Sequence, residues 1–163
     1  MHIKLINKKL YFRNYKVKCA IGKRGISTKK REGDNKTPRG IYKFSTIFYR
    51  KDRIKHLETS VKKMVIKKNM GWCDDPNSKY YNKLIYFPFS KRAEKLYIEK
   101  NIYDIIVVID YNTKPIVKKK GSAIFLHVAS KNYKSTRGCL AISKSNLKNL
   151  VKELNSKSKV SIF

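Results

Sequence analysis

The feature that most constrains this chain is the run Ile105-Ile106-Val107-Val108-Ile109, five β-branched residues with no polar residue among them. Such side chains favour the extended backbone, and an unbroken apolar run reads as a strand buried on both faces. Other strand signals surround it. His2–Ile6 and Leu10–Arg13 flank Asn7-Lys8-Lys9 and read as a hairpin. In Tyr15–Ile21, Val17, Cys19 and Ile21 alternate with Lys16 and Lys18, and alternation resumes over Gly40–Phe48. Lys83–Phe87, Ser122–His127, Gly138–Ile142 and Lys159–Phe163 are further strands by the same reading. Gly22–Arg39 and Asn69–Asn82 are punctuated by Gly, Ser, Asp, Asn and Pro and read as long loops. Two helices are predicted. One spans Ser90–Lys100 on the spacing of Ala93, Leu96 and Tyr97; the other is capped by Ser143 or Ser145 and runs through Leu154 with Leu147, Leu150 and Val151 on one stripe. The sum is a mainly β, strand-rich α+β chain, and its 163 residues suit one domain with a substantial core.

Chemistry concentrates near the end of the chain. The apolar run Ala123–Leu126 ends at His127, and twelve positions later Cys139 follows Gly138. Cysteine is a strong nucleophile as its thiolate, which a neighbouring imidazole can generate near neutral pH. A glycine beside it lets backbone N–H groups approach a developing oxyanion. Both residues lie at strand ends, joined by a polar link from Ala129 to Ser135. Cys19, Cys73 and Cys139 show neither CxxC spacing nor paired histidine ligands, which argues against a structural zinc site or a disulfide framework. Cys73 has no histidine near it in sequence except His56, and His2 and His56 read as incidental.

The net charge of +29 invites a polyanion, whether nucleic acid, acidic lipid or a wall polymer. Lysine far outnumbers arginine, however, and Asn and Ile are frequent, as a lysine-rich proteome would produce; no motif for specific nucleic-acid readout is present. No stretch is long and apolar enough for a membrane span, and the charged, alternating start of the chain does not read as a signal peptide.

Taken together, four ordered segments resemble the L,D-transpeptidase catalytic domains of the YkuD type, in a divergent branch. They are Cys19-Ala20-Ile21-Gly22; Lys30 through Gly40, similar to the family's EGD-x-x-TP-x-G turn; Gly71-Trp72-Cys73-Asp74-Asp75-Pro76 with Tyr81-Asn82-Lys83-Leu84; and Gly121–His127 with Thr136-Arg137-Gly138-Cys139. The resemblance implies a mixed β-sandwich with about two helices and the cysteine in a cleft. It implies acyl transfer on peptidoglycan stem peptides through a thioester on Cys139, with His127 as base and no cofactor or metal. Gly138, Arg137 and Thr136 would shape the oxyanion site. Trp72, Asp74, Asp75, Tyr81 and Asn82 are candidate substrate contacts, although Asp before Pro ordinarily shapes a turn and a single Trp ordinarily packs. A monomer in the cell envelope or periplasm is expected, with a cytoplasmic location left open and an anionic wall polymer as a further candidate partner.

The chain also departs from the family pattern. Arg137 stands where a histidine is usual, Ala141 where Arg or Asn is usual, Val128 where Gly often follows the first histidine, and the loop from His127 to Cys139 is short. Arg137 could supply a cation for a substrate carboxylate from this different position, or point to solvent. A hydrolase using the same pair, and a basic polyanion-binding module with vestigial chemistry, are the alternative readings.

Overall fold

The structure is a computed structural model that describes residues 1–28 and 31–163, so Lys30, which opens the second motif segment, lies outside the described residues. The chain begins with the expected hairpin, β1 (His2–Ile6) and β2 (Lys9–Phe12). Its two turn residues, Asn7 and Lys8, take φ of 49° and 58°, a turn whose twist matches that of the strands it joins. The order continues with β3 (Tyr15–Lys18), β4 (Ile26–Ser27), β5 (Thr37–Pro38), β6 (Gly40–Tyr49), β7 (Lys63–Val65), β8 (Met70–Cys73), β9 (Leu84–Tyr86) and β10 (Ala93–Lys95). A 3₁₀ turn at Asn101–Tyr103 leads into β11 (Ile105–Ile109), β12 (Phe125–Val128), β13 (Leu140–Ile142), α1 (Lys144–Glu153) and β14 (Lys159–Ile162).

Nine strands form one mixed sheet in the order β13-β12-β11-β6-β14-β1-β2-β3, with β7 beside β6. The pairs β12/β13, β14/β1 and β6/β7 are parallel and the others antiparallel. The sheet curls until its ends meet. Just past β3, Ala20 exchanges two backbone hydrogen bonds of 2.8 and 2.9 Å with Ala141 of β13, nearly closing a barrel. Of the described residues 37% are in strands and 8% are helical, as the strand signals require.

Alternation along the strands creates two cores. Ile105, Val107 and Ile109 of β11 turn inward to join Ile3, Leu5, Leu10, Val160 and Ile162, closed over by Leu147, Leu150 and Val151 of α1. Ile106 and Val108 turn outward to a second core with Phe48, Met70, Trp72, Leu96, Tyr103 and Phe125. A three-stranded sheet, β10-β8-β9, contributes to this second core, which is why β11 is apolar on both faces.

The predicted helix over Ser90–Lys100 is not formed. Ala93–Lys95 pairs instead with β8, Ala93 opposite Cys73 and Lys95 opposite Gly71. Leu96 is sealed into the second core and Tyr97 lies under the Arg50 guanidinium at 3.6 Å. Helix propensity over so short a stretch is a weak prior, and the open edge of β8 outweighs it. Among the described residues α1 is the one α-helix, with Ser143 as its N-cap: its hydroxyl accepts from the Asn146 N–H. The two predicted loops also carry strands. The first holds β4 and β5, paired parallel, and the second holds β8.

Candidate active site

Register brings the histidine and cysteine to one face. In the parallel pair β12/β13, Leu126 lies opposite Leu140 and His127 opposite Ala141. Leu126, Val128, Leu140 and Ile142 belong to the inner core, so His127 and Ala141 face outward. Cys139 is two residues before Ala141 and shares its parity. It packs against the second core, beside Phe125, and lines the same cleft as His127.

The local contacts prepare both groups. The His127 Nδ1–H donates to the Val128 carbonyl at 3.0 Å, which leaves Nε2 as the lone-pair nitrogen. Tyr103 packs edge-on against the imidazole, with ring centroids 5.5 Å apart. Burial pushes the His127 pKa down to about 4, so the ring is neutral at pH 7. The Cys139 thiol donates to the Ala123 carbonyl at 3.1 Å and accepts from the Phe125 N–H at 3.4 Å. That N–H stabilises negative charge on the sulfur. Cys139 is partly exposed, whereas Cys19 and Cys73 are buried, and burial pushes the Cys19 thiol up to about 12.

The turn before Cys139 is braced from a distant segment. The Thr37 hydroxyl donates to the Gly138 carbonyl at 2.9 Å and accepts from the Gly22 N–H at 2.8 Å. Gly138 has φ of 138°, and a Cβ there would meet the Lys36 carbonyl at 2.8 Å. Glycine is therefore required both by conformation and by close approach. Thr136 ties the turn internally: its hydroxyl donates to the Cys139 carbonyl at 2.7 Å and accepts from the Gly138 N–H at 3.1 Å. The Gly138 N–H, expected as an oxyanion donor, is thus engaged within the turn.

The cleft has a volume of about 760 Å³. Three of the chain's 11 acidic residues, Glu32, Asp74 and Glu94, line it together with Arg92, Arg137, Lys100 and Lys134. Arg137 reaches Glu94 at 3.4 Å, and Glu94 also accepts from the Tyr103 hydroxyl at 2.7 Å. Arg92 pairs with Asp74 at 3.0 Å. A basic molecule thus presents a cleft of mixed sign, suited to a substrate that carries both charges.

Other candidate contacts turn out to be framework. Asn82 Oδ1 accepts from Trp72 Nε1 and from the Ala123 N–H, each at 3.0 Å, while its Nδ2 donates to the carbonyls of Tyr111 and Asn112. Every polar site of this buried amide is used, and it fixes the residue whose carbonyl receives the Cys139 thiol. Tyr81 is buried; its hydroxyl donates to Glu32 at 2.5 Å and accepts from the Gly121 N–H at 2.9 Å. Trp72, Tyr81 and Asn82 therefore support the cleft wall without lining it, and Asp75 shapes a turn by accepting from the Asn77 N–H at 2.9 Å. Sequence reasoning missed Tyr103, Glu94, Arg92, Glu32 and Thr37. The motif match at Thr37 was the one available signal.

The chain belongs to the YkuD family of L,D-transpeptidase catalytic domains, whose family model matches residues 3–162. No curated protein matches the chain. No described helix is long and apolar enough to cross a membrane.

Proposed function

We propose that the protein is a cysteine acyltransferase that acts on peptidoglycan stem peptides outside the cytoplasm. In the first half-reaction His127 Nε2 takes the Cys139 thiol proton, and the sulfur attacks the carbonyl of the amide that follows the diamino-acid residue. The carbonyl becomes a tetrahedral oxyanion. On its collapse the C–N bond breaks, the imidazolium gives its proton to the departing D-amino acid, and a thioester remains on Cys139. In the second, an acceptor amine attacks the thioester, His127 removes its proton, and the sulfur leaves as thiolate and recovers that proton. Covalent catalysis replaces one difficult step by two easier ones.

The observation that carries this reading is the outward face shared by Cys139 and a neutral His127 whose Nδ1 is committed to a carbonyl. The mixed charge of the cleft supports a peptide donor with both signs: Arg137 meets a carboxylate, and Glu94, Glu32 or Asp74 meets an amine. The test is incubation with purified muropeptides, read by mass spectrometry. Cross-linked dimers are expected. Shortened monomers alone would assign a hydrolase that passes the acyl group to water. Unchanged substrate, with no carbapenem adduct on Cys139 by intact mass, would remove the chemistry and leave the binding-module reading.

A further inference from the structure

The outer surface of the large sheet is not uniform. Over β11 and β12 it is covered by the second core, but across β14, β1, β2 and β3 and the first half of β6 its outward side chains are exposed, save the small Ser161, buried between its neighbours, and Tyr11, half-buried. Inward residues there, Ile3, Leu5, Leu10, Val17, Phe44, Val160 and Ile162, fill the inner core. Their outward neighbours align in rows across the strands. One row runs Lys43, Lys159, His2; the next runs Ile41, Ser161, Lys4, Tyr11, Lys16; the third runs Ile6, Lys9, Lys18. With about 4.8 Å between strands, the middle row is about 19 Å wide. None of these five strands contains an Asp or Glu. The face also carries aliphatic side chains in the open, Ile6 at 40% and Ile41 at 59% exposure, the two isoleucines left exposed among the described residues.

Lysine alone suits any polyanion. Lysine interleaved with exposed isoleucine suits a partner that offers phosphate and hydrocarbon together. Basic groups are held by an anionic leaflet and aliphatic ones sink into its interface, whereas a soluble polyphosphodiester rewards only the charge. We infer that this bare face of the barrel docks on a bilayer surface containing anionic phospholipid. The active-site cleft opens over β12 and β13, which adjoin β3 at the Ala20–Ala141 seam, and none of the face residues lines it, so the cleft lies beside the docking face and outside it. The inference does not depend on the acyl-transfer chemistry.

The test is co-sedimentation of the whole chain with vesicles of phosphatidylcholine, with and without phosphatidylglycerol, alongside binding to linear polyphosphate. Three variants are compared: Lys4→Gln/Lys16→Gln/Lys159→Gln on the face, Ile6→Ser/Ile41→Ser on the face, and Lys62→Gln/Lys67→Gln/Lys68→Gln around β7 as an equal change in net charge. Wild type is expected to bind the phosphatidylglycerol vesicles only. The face lysine variant should lose roughly a hundredfold in partitioning, at about fivefold per lysine. The isoleucine variant should lose several-fold for vesicles and nothing for polyphosphate, and the β7 variant should retain most vesicle binding. Equal loss in the two lysine variants would overturn the inference, as would vesicle binding indifferent to the isoleucines, or binding of polyphosphate but not of vesicles. Circular dichroism separates any of these from misfolding, and carbapenem labelling of Cys139 reports the chemistry independently.

Discussion

Two sectors of the same sheet surface have opposite fates. Over β11 and β12 the outward residues are Ile106, Val108, Phe125 and His127, and they are covered; over β1 to β3 they are Lys4, Lys9, Lys16 and Lys18, and they are bare. The backbone template is shared, and only the outward half of the alternation differs. Cover sets the state of His127: a ring left in water would keep an ordinary pKa, whereas burial holds this one near 4 and so neutral at pH 7. The lesson is that the protonation state of a side chain on this sheet follows the second layer more than the strands themselves.

This contrast can be broken by substitution. The largest effect is expected for Cys139→Ala, which should abolish the covalent lactam adduct seen by intact mass, while blocking Cys19 or Cys73 should be impossible without unfolding. His127→Gln should slow acylation by about 10²–10⁴-fold in stopped-flow or timed-quench assays. With the base intact, acylation should hold down to acidic pH and fall as pH drops through about 4, where His127 gains its proton. Stability should move with it. The folded value lies below the unfolded one of about 6.5, so the unfolded chain binds the proton first. This contribution, about 3 kcal/mol, is fully present above pH 6.5 and is lost as pH falls toward 4, as urea titrations at several pH values would show.

Framework changes in the covered sector come next. Asn82→Ala strands the Trp72 N–H, the Ala123 N–H and two carbonyls, and should cost about 2–4 kcal/mol by chemical denaturation. Thr37→Val should cost about 1–3 kcal/mol and slow Cys139 acylation, because the Gly138 carbonyl and Gly22 N–H both lose their partner. The smallest effect belongs to the bare sector. Neutralising Lys4, Lys16 or Lys159 singly should change stability by less than about 0.5 kcal/mol. A larger loss there would show that the bare face is structurally engaged and would erase the contrast.

What the sequence made legible was local and periodic. The hairpin around Asn7 and Lys8, the doubly buried β11 and the α1 stripe all follow from spacing along one stretch of chain, whereas the shared face of His127 and Cys139 needs the β12/β13 register. The helix predicted at Ser90–Lys100 failed because three apolar residues at helical spacing are a weak signal, and the free edge of β8, about twenty positions upstream, took Ala93–Lys95 as a strand. The roles of Trp72, Tyr81 and Asn82 were hidden for a related reason. Alternation tells which face a polar residue occupies, but its partners come from remote segments: Asn82 meets Tyr111 and Ala123, and Tyr81 meets Glu32. The same remoteness hid Glu94 and Tyr103, which reach the cleft from β10 and the 3₁₀ turn.

The pairing of Ala20 with Ala141 sets when the turn that carries Cys139 can form. The turn before Cys139 is stitched on one side to residues near the start of the chain: Gly22 pairs with Thr136, and Thr37 holds Gly138. These contacts join the first quarter of the sequence to the last, the kind of long-range closure that forms slowly. During synthesis the early strands must wait for β13 to emerge before the cysteine has a seat. An incomplete chain therefore carries no positioned Cys139 thiol.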